Sequence, residues 1–169
     1  AVDDANSDDD FDGLDDQTVS VDTLDDDVAG FTIEETDGST EVDESGSTDI
    51  FTIVLDAQPT NDVVVLATAS NDETEATVSG SITFTSENWD TPQTVTVTGV
   101  DDDLVDGDQT YDITISIVDT ISDDEFDGVA DQSVSSTTLD DDAPGFTIEE
   151  TDAATEVDES GSTDIFTVV

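Results

Sequence analysis

The sequence predicts an all-β chain of the sandwich class, and three observations predict it. Apolar and polar residues alternate at period 2 in short runs, Thr, Val and Ile dominate those runs, and no segment sustains a helical period. Taken in order, strands are expected near 31–34, 48–55, 62–70, 81–85, 93–97, 109–118 and 132–139. The second and third hold the β-branched runs at 49–55 and 62–69. Pro59 falls between them, Gly80 precedes the fourth, Pro92 and Gly99 bracket the fifth, and Gly107 opens the sixth, all as turn signals. In the sixth, Tyr111, Ile113, Ile115 and Ile117 share one face while Asp112, Thr114 and Ser116 share the other, the pattern of a half-buried antiparallel strand. About seven strands in a stretch of about 115 residues describe a β-sandwich.

Charge is the second constraint. The 169 residues include 48 Asp and Glu and no Lys, Arg or His, for a formal net charge of −48. A compact fold with that charge repels itself, so the chain calls for cations from outside. Two sources are open. Hard divalent ions on clustered carboxylates would serve, since Ca²⁺ takes about six to eight oxygen ligands; very high salt would also serve. Disorder is not the expectation, because 33% of the residues are hydrophobic. Nucleic acid is excluded as a partner, because phosphate binding rests on Lys and Arg. The longest apolar stretch, near 63–67, falls far short of the ~20 residues of a membrane helix, so no membrane insertion is expected. There is no Cys, hence no disulfide, and no His, Cys or Lys nucleophile system. Only paired carboxylates remain, with nothing to single out one pair, so no enzyme is expected.

The chain repeats itself. Phe11-Asp12-Gly13 returns as Phe126-Asp127-Gly128, and the segment 30–35 returns as 145–150, both at a shift of 115 residues. At that shift positions 1–54 and 116–169 agree at 38 of 54 places, far beyond chance. A period this long is a whole domain. The cut falls after the aspartate triplets Asp25, Asp26, Asp27 and Asp140, Asp141, Asp142. Residues 28–142 then form one complete repeat, 1–27 the end of a preceding one and 143–169 the opening strands of the next. With no Met at position 1, the chain is expected to be an excerpt of a longer repetitive polypeptide.

The run from Thr83 to Asp102, with Asn88-Trp89-Asp90-Thr91-Pro92 at its centre, resembles the Calx-β-like repeats of large bacterial surface proteins. Val42-Asp43-Glu44-Ser45-Gly46 is similar to that family's opening motif, with Gly46 one place early and Ser47 where the family has Gly. The segment 106–111 and the closing Leu139-Asp140-Asp141-Asp142 fit as well. The resemblance implies a seven-stranded immunoglobulin-like sandwich that binds Ca²⁺ at one end, in tandem, outside the cell or on its surface. Carried over, the metal residues are Glu44, Asp101, Asp102, Asp106 and Asp140, Asp141 and Asp142, with Asp72 or Glu73 as a further loop ligand. Asp25, Asp26 and Asp27 take the same role for the preceding repeat. Gln109 departs from the pattern, standing where calcium-binding members carry an acid.

The residues weighed by themselves agree in part. Asp101, Asp102, Asp103, Asp106 and Asp108 crowd one short loop, which closes around a cation or stays a solvated acidic hairpin. The aspartate triplet at a domain boundary fixes neighbours through an ion, or spreads as a charged linker. Residues 123–128 imitate an EF-hand loop, but Val134 stands where the twelfth-position Glu is required; a Gly turn with Phe126 packed beneath it is expected instead. Trp89 is expected to plug the sandwich. The functional expectation is a calcium-stiffened stalk, fibre or adhesin extender. Its partners would be neighbouring repeats of its own polypeptide, with self-assembly into fibres through open sheet edges as a further option. A ligand-binding adhesin domain and a calcium-responsive regulatory domain are the alternatives.

Overall fold

A computed structural model describes residues 5, 6, 8–11, 14–71, 74–150 and 154–169. Nine strands build two sheets that face each other. The first sheet joins β1 (Phe31–Glu35), β3 (Thr48–Leu55), β7 (Gln93–Gly99) and β5 (Ala76–Val78), antiparallel and in the spatial order β1-β3-β7-β5. The second joins β2 (Thr40–Asp43), β9 (Gln132–Leu139), β8 (Gln109–Ile117), β4 (Val63–Ala69) and β6 (Ser81–Phe84). β2 and β9 run parallel, and the other neighbours in these two sheets run antiparallel. Among the described residues there is no α-helix, and no helix is long and apolar enough to cross a membrane.

Each expected strand is present, and β3 and β9 match to the residue. The expected count of seven falls short by two. β2 and β5 are short edge strands of four and three residues. Neither is long enough to show alternation against its acidic or loop-like flanks.

The core lies between the sheets. Phe51, Ile53, Val95 and Val97 of the first meet Val63, Val65, Phe84, Ile113 and Ile115 of the second, all fully buried. Each such side chain contributes about 1.5–3 kcal/mol through removal from water. The expected face of β8 is the buried one, Tyr111 through Ile117. Half-buried Trp89 packs against this core, and its carbonyl accepts the Leu55 N–H at 3.1 Å. Phe126 is buried beneath a 3-10 turn at Asp124–Phe126, as the Gly-turn reading expects.

Register defines two poles. Thr48 pairs with Thr98, and Asp43 with Leu139, so the 44–47 turn, the 100–108 loop and the end of β9 share one pole. Phe31 pairs with Leu55, which places the start of β1 and the 56–62 loop at the opposite pole, joined there by the 118–131 loop through the Asp123 N–H to the Asp62 carbonyl.

Beyond the sandwich, β10 (Ile148–Glu150) pairs antiparallel with β11 (Phe166–Val168). Its register repeats that of β1 on β3 at the 115-residue shift: Ile148 faces Val168 as Ile33 faces Ile53. Here Phe166 and Val168 stay exposed, whereas their counterparts Phe51 and Ile53 are core.

Candidate metal centre

The site begins with a turn that local chemistry encodes. Gly46 adopts a φ of 92°, which side chains resist, and lets the chain reverse between β2 and β3. The Ser47 Oγ accepts the Asp43 N–H at 2.7 Å, while the Ser45 hydroxyl donates to Asp43. The Ser45 hydroxyl holds the Asp43 carboxyl below its usual range, opposed by burial and assisted by Ser47. The same turn forms at 158–162, where Gly161 has φ 95° and Ser162 Oγ accepts the Asp158 N–H at 2.7 Å. Among the described residues no sandwich packs around that copy, and the turn forms there from the same residues.

Packing then does what the turn alone does not. Glu44 is 1% exposed, whereas its counterpart Glu159 is exposed. Gly99 makes that burial geometrically possible. A Cβ there would lie 1.9 Å from the Asp43 carbonyl oxygen, so only glycine allows the end of β7 to close against the turn. The Gly99 N–H reaches the Ser47 carbonyl at 3.0 Å, and the Glu44 N–H reaches the Leu139 carbonyl at 3.2 Å.

Glu44, Asp140 and Asp142 each bring one carboxylate oxygen to within 4.8 Å of the others. The Asp141 N–H donates to the Glu44 carboxylate. Glu44 Oε2 and Asp142 Oδ2 are buried and, among the described residues, have no hydrogen-bond partner. Burial pushes the Glu44 carboxyl up from its usual range, and the charges of Asp140, Asp102 and Asp106 push it further. Asp142 is raised by burial first, then by Asp140, Asp103, Asp141 and Asp102. The pole is held together around this repulsion. Gly107 N–H donates to Asp140 Oδ2 at 2.7 Å, Asp140 N–H to Asp108 Oδ1 at 3.2 Å, and Asp142 N–H to Asp140 Oδ1 at 2.8 Å.

The donor set fits a hard cation. Every side-chain ligand available is a carboxylate oxygen, two of them lack any partner, and the chain has no His or Cys to recruit a softer metal. No protein-family model and no curated protein matches this chain. Solved structures resemble it in fold. They include the E. coli chaperone DraB, at 9% identity over 70% of this chain and 59% of that one, TM-score 0.46. CBD12 from CALX1.2 matches at 19% identity over 76% of this chain and 51% of that one, TM-score 0.45. The apo-form Calx CBD1 domain matches at 16% identity over 66% and 98%, TM-score 0.42. The chain thus spans little more than half the length of the first two. At these TM-scores no residue role passes from them, and the site rests on its own geometry.

The other expected ligands divide into groups. Asp102 and Asp106 lie within electrostatic reach of Glu44, and Asp141 contributes its backbone N–H. Asp101 is exposed in the same loop. Asp72 and Glu73 lie outside the described residues. Asp25 and Asp27 line a cleft at the opposite pole, away from the Glu44 cluster. Gln109 turns its amide nitrogen back onto the loop, donating to the Asp106 and Gly107 carbonyls at 3.3 and 2.8 Å.

One residue, weighed in the sequence only as the first position of an EF-hand-like loop, has a different role. Asp123, 3% exposed, accepts hydrogen bonds from Thr60 N–H at 2.7 Å, the Thr60 hydroxyl at 2.8 Å, Asn61 N–H at 2.7 Å and Glu125 N–H at 3.2 Å. These donors, the Asn61 N–H first, hold its carboxyl at about 2. Its signal was the N-cap position of the short turn at 124–126. That cap binds two loops together and needs no ion.

Proposed function

We propose that the chain is a run of tandem structural repeats from an extracellular or cell-surface protein, each closed at one pole by Ca²⁺. Glu44, Asp140 and Asp142 hold the ion, with Asp102 and Asp106 beside them. The observation that carries this reading is the buried, unpartnered Glu44 Oε2 facing two further carboxylates in a chain with no basic residue. Burying an unpaired carboxylate is costly, and the group then neutralises or pairs with a cation. The ion supplies positive charge where the fold supplies none. What the chain itself does is arrange oxygens: the 43–47 turn sets Glu44, the end of β9 sets Asp140 and Asp142, and the Gly107 N–H steers Asp140.

The mechanical role follows from where those residues stand. Asp140 and Asp142 end one repeat and begin the link to the next, so an ion held by them ties the pole of one repeat to the linker. Binding to the folded form alone stabilises it by mass action, by about 4 kcal/mol at a thousandfold excess over Kd. Close repetition at 38 of 54 compared positions supports a spacer, which uses copies, over a recognition module. Neighbouring repeats of the same polypeptide are its partners.

Thermal melts of the chain test this in Ca²⁺, in chelator, and in chelator with molar NaCl. The expected result is a rise of the melting temperature in Ca²⁺ that NaCl does not reproduce. An equal rise in NaCl alone would assign the carboxylates to salt-dependent solvation and remove the metal centre.

A further inference from the structure

Asp25 and Asp27 are the counterparts of Asp140 and Asp142 at the 115-residue shift, yet the two pairs touch different things. Asp140 stands against the 100–108 loop, bonded to Gly107 and Asp108. Asp25 and Asp27 stand at the opposite pole, lining a cleft of about 610 Å³ whose walls hold Asp123 and Glu125 beside the buried Ala57, Pro59 and Phe126 and the half-buried Val129. In successive repeats one aspartate pair therefore borders the loop of the first and the cleft of the second. The loop carries two apolar residues among its acids, Leu104 and Val105, 60% and 54% exposed. Four residues lead from Asp142 to Phe146, a reach of at most about 14 Å, so the two poles cannot separate.

We infer that Leu104 and Val105 of one repeat seat in the cleft bordered by Ala57, Pro59, Phe126 and Val129 of the repeat that follows. The occupant is a second copy of the same unit along the chain. This rests on the tandem reading above but not on the bound ion. The contact withdraws the exposed apolar pair from water. It also explains why a loop dense in aspartates keeps two aliphatic side chains at its tip. The junction becomes an apolar plug flanked by carboxylates, and the ion and the plug restrain the same hinge from two sides.

The test uses the chain with residues 28–142 duplicated in place, so that it contains one whole junction. The chain has no cysteine, so an introduced pair is the only thiol pair. Leu104→Cys goes into the first copy and Gly128→Cys into the second; Gly128 borders the cleft, and a Cβ there meets no atom within 4 Å. The control pairs Gly128→Cys with Thr68→Cys, exposed on β4. Under mild oxidation the junction pair is expected to close an intramolecular disulfide at least about tenfold faster than the control, because docking raises the effective concentration of the thiols. Fast closure in Ca²⁺ only supports plug and ion together. Fast closure in chelator as well supports the plug without help from the ion. Rates equal to the control in both conditions would overturn the docking, whatever the melts say about calcium.

Discussion

Among the described residues two acidic side chains, Glu44 and Asp123, are buried as a whole, one at each pole, and they behave in opposite ways. Asp123, 3% exposed, is surrounded by four donors and held at about 2. Glu44, 1% exposed, has the Asp141 N–H, an unpartnered Oε2 and a ring of like charges, and its carboxyl is raised. Burial is the same; the company differs. A buried charge that its own fold satisfies is a structural clasp. A buried charge left unsatisfied beside two others marks a place that something else completes.

Substitutions at the two poles break the comparison in order of size. Asp123→Ala removes the acceptor of four hydrogen bonds and is expected to cost about 1.5–3 kcal/mol of stability, the scale of a hydrogen bond to a charged group, because the freed donors belong to exposed residues that water can serve. The loss measured by melting should be the same in Ca²⁺ and in chelator. Glu44→Gln should act the other way round. In chelator it removes one charge from a self-repelling cluster, so the melting temperature rises; in Ca²⁺ most of the calcium-dependent gain disappears. If Glu44→Gln destabilises equally in both conditions, the two carboxylates are alike and the distinction fails.

Acidity gives the smallest effect, and the two groups respond with opposite signs. In chelator, Glu44 and Asp142 have raised folded values, so their protonated forms stabilise the fold at low pH and that stabilisation is lost as pH rises through those values. Asp123 is depressed, so its contribution is present above its ordinary 3.8 and is lost as pH falls towards about 2. Melts in chelator should therefore rise on acidification from neutrality, less so for Glu44→Gln. The gap between the parent chain and Asp123→Asn should close only between 3.8 and about 2.

Much of this was legible in the sequence where a residue's role is set by its neighbours along the chain. The alternation of Tyr111 through Ile117 marked β8 and its buried face, and the turn at 43–47 forms again at 158–162 from the same residues. β2 was not legible, because a four-residue edge with one apolar position, Val42, carries no period. Acid density pointed to the triplet at 140–142, but among 48 acids the sequence held no physical reason to single out Glu44, which was named through a family likeness. That reason is burial, and it depends on β7 closing against the turn at Gly99. The clasp at Asp123 was not legible, because its partners Thr60 and Asn61 are more than 60 residues distant in sequence.

The most direct measurement is a calorimetric Ca²⁺ titration of the chain and of its Glu44→Gln and Asp123→Asn variants. It belongs in molar NaCl, where a Debye length of about 3 Å suppresses diffuse attraction to the acidic surface. The parent chain and Asp123→Asn are predicted to bind Ca²⁺ at a saturable site that Glu44→Gln lacks. Equal binding by all three, or none by any, would contradict a metal centre at Glu44.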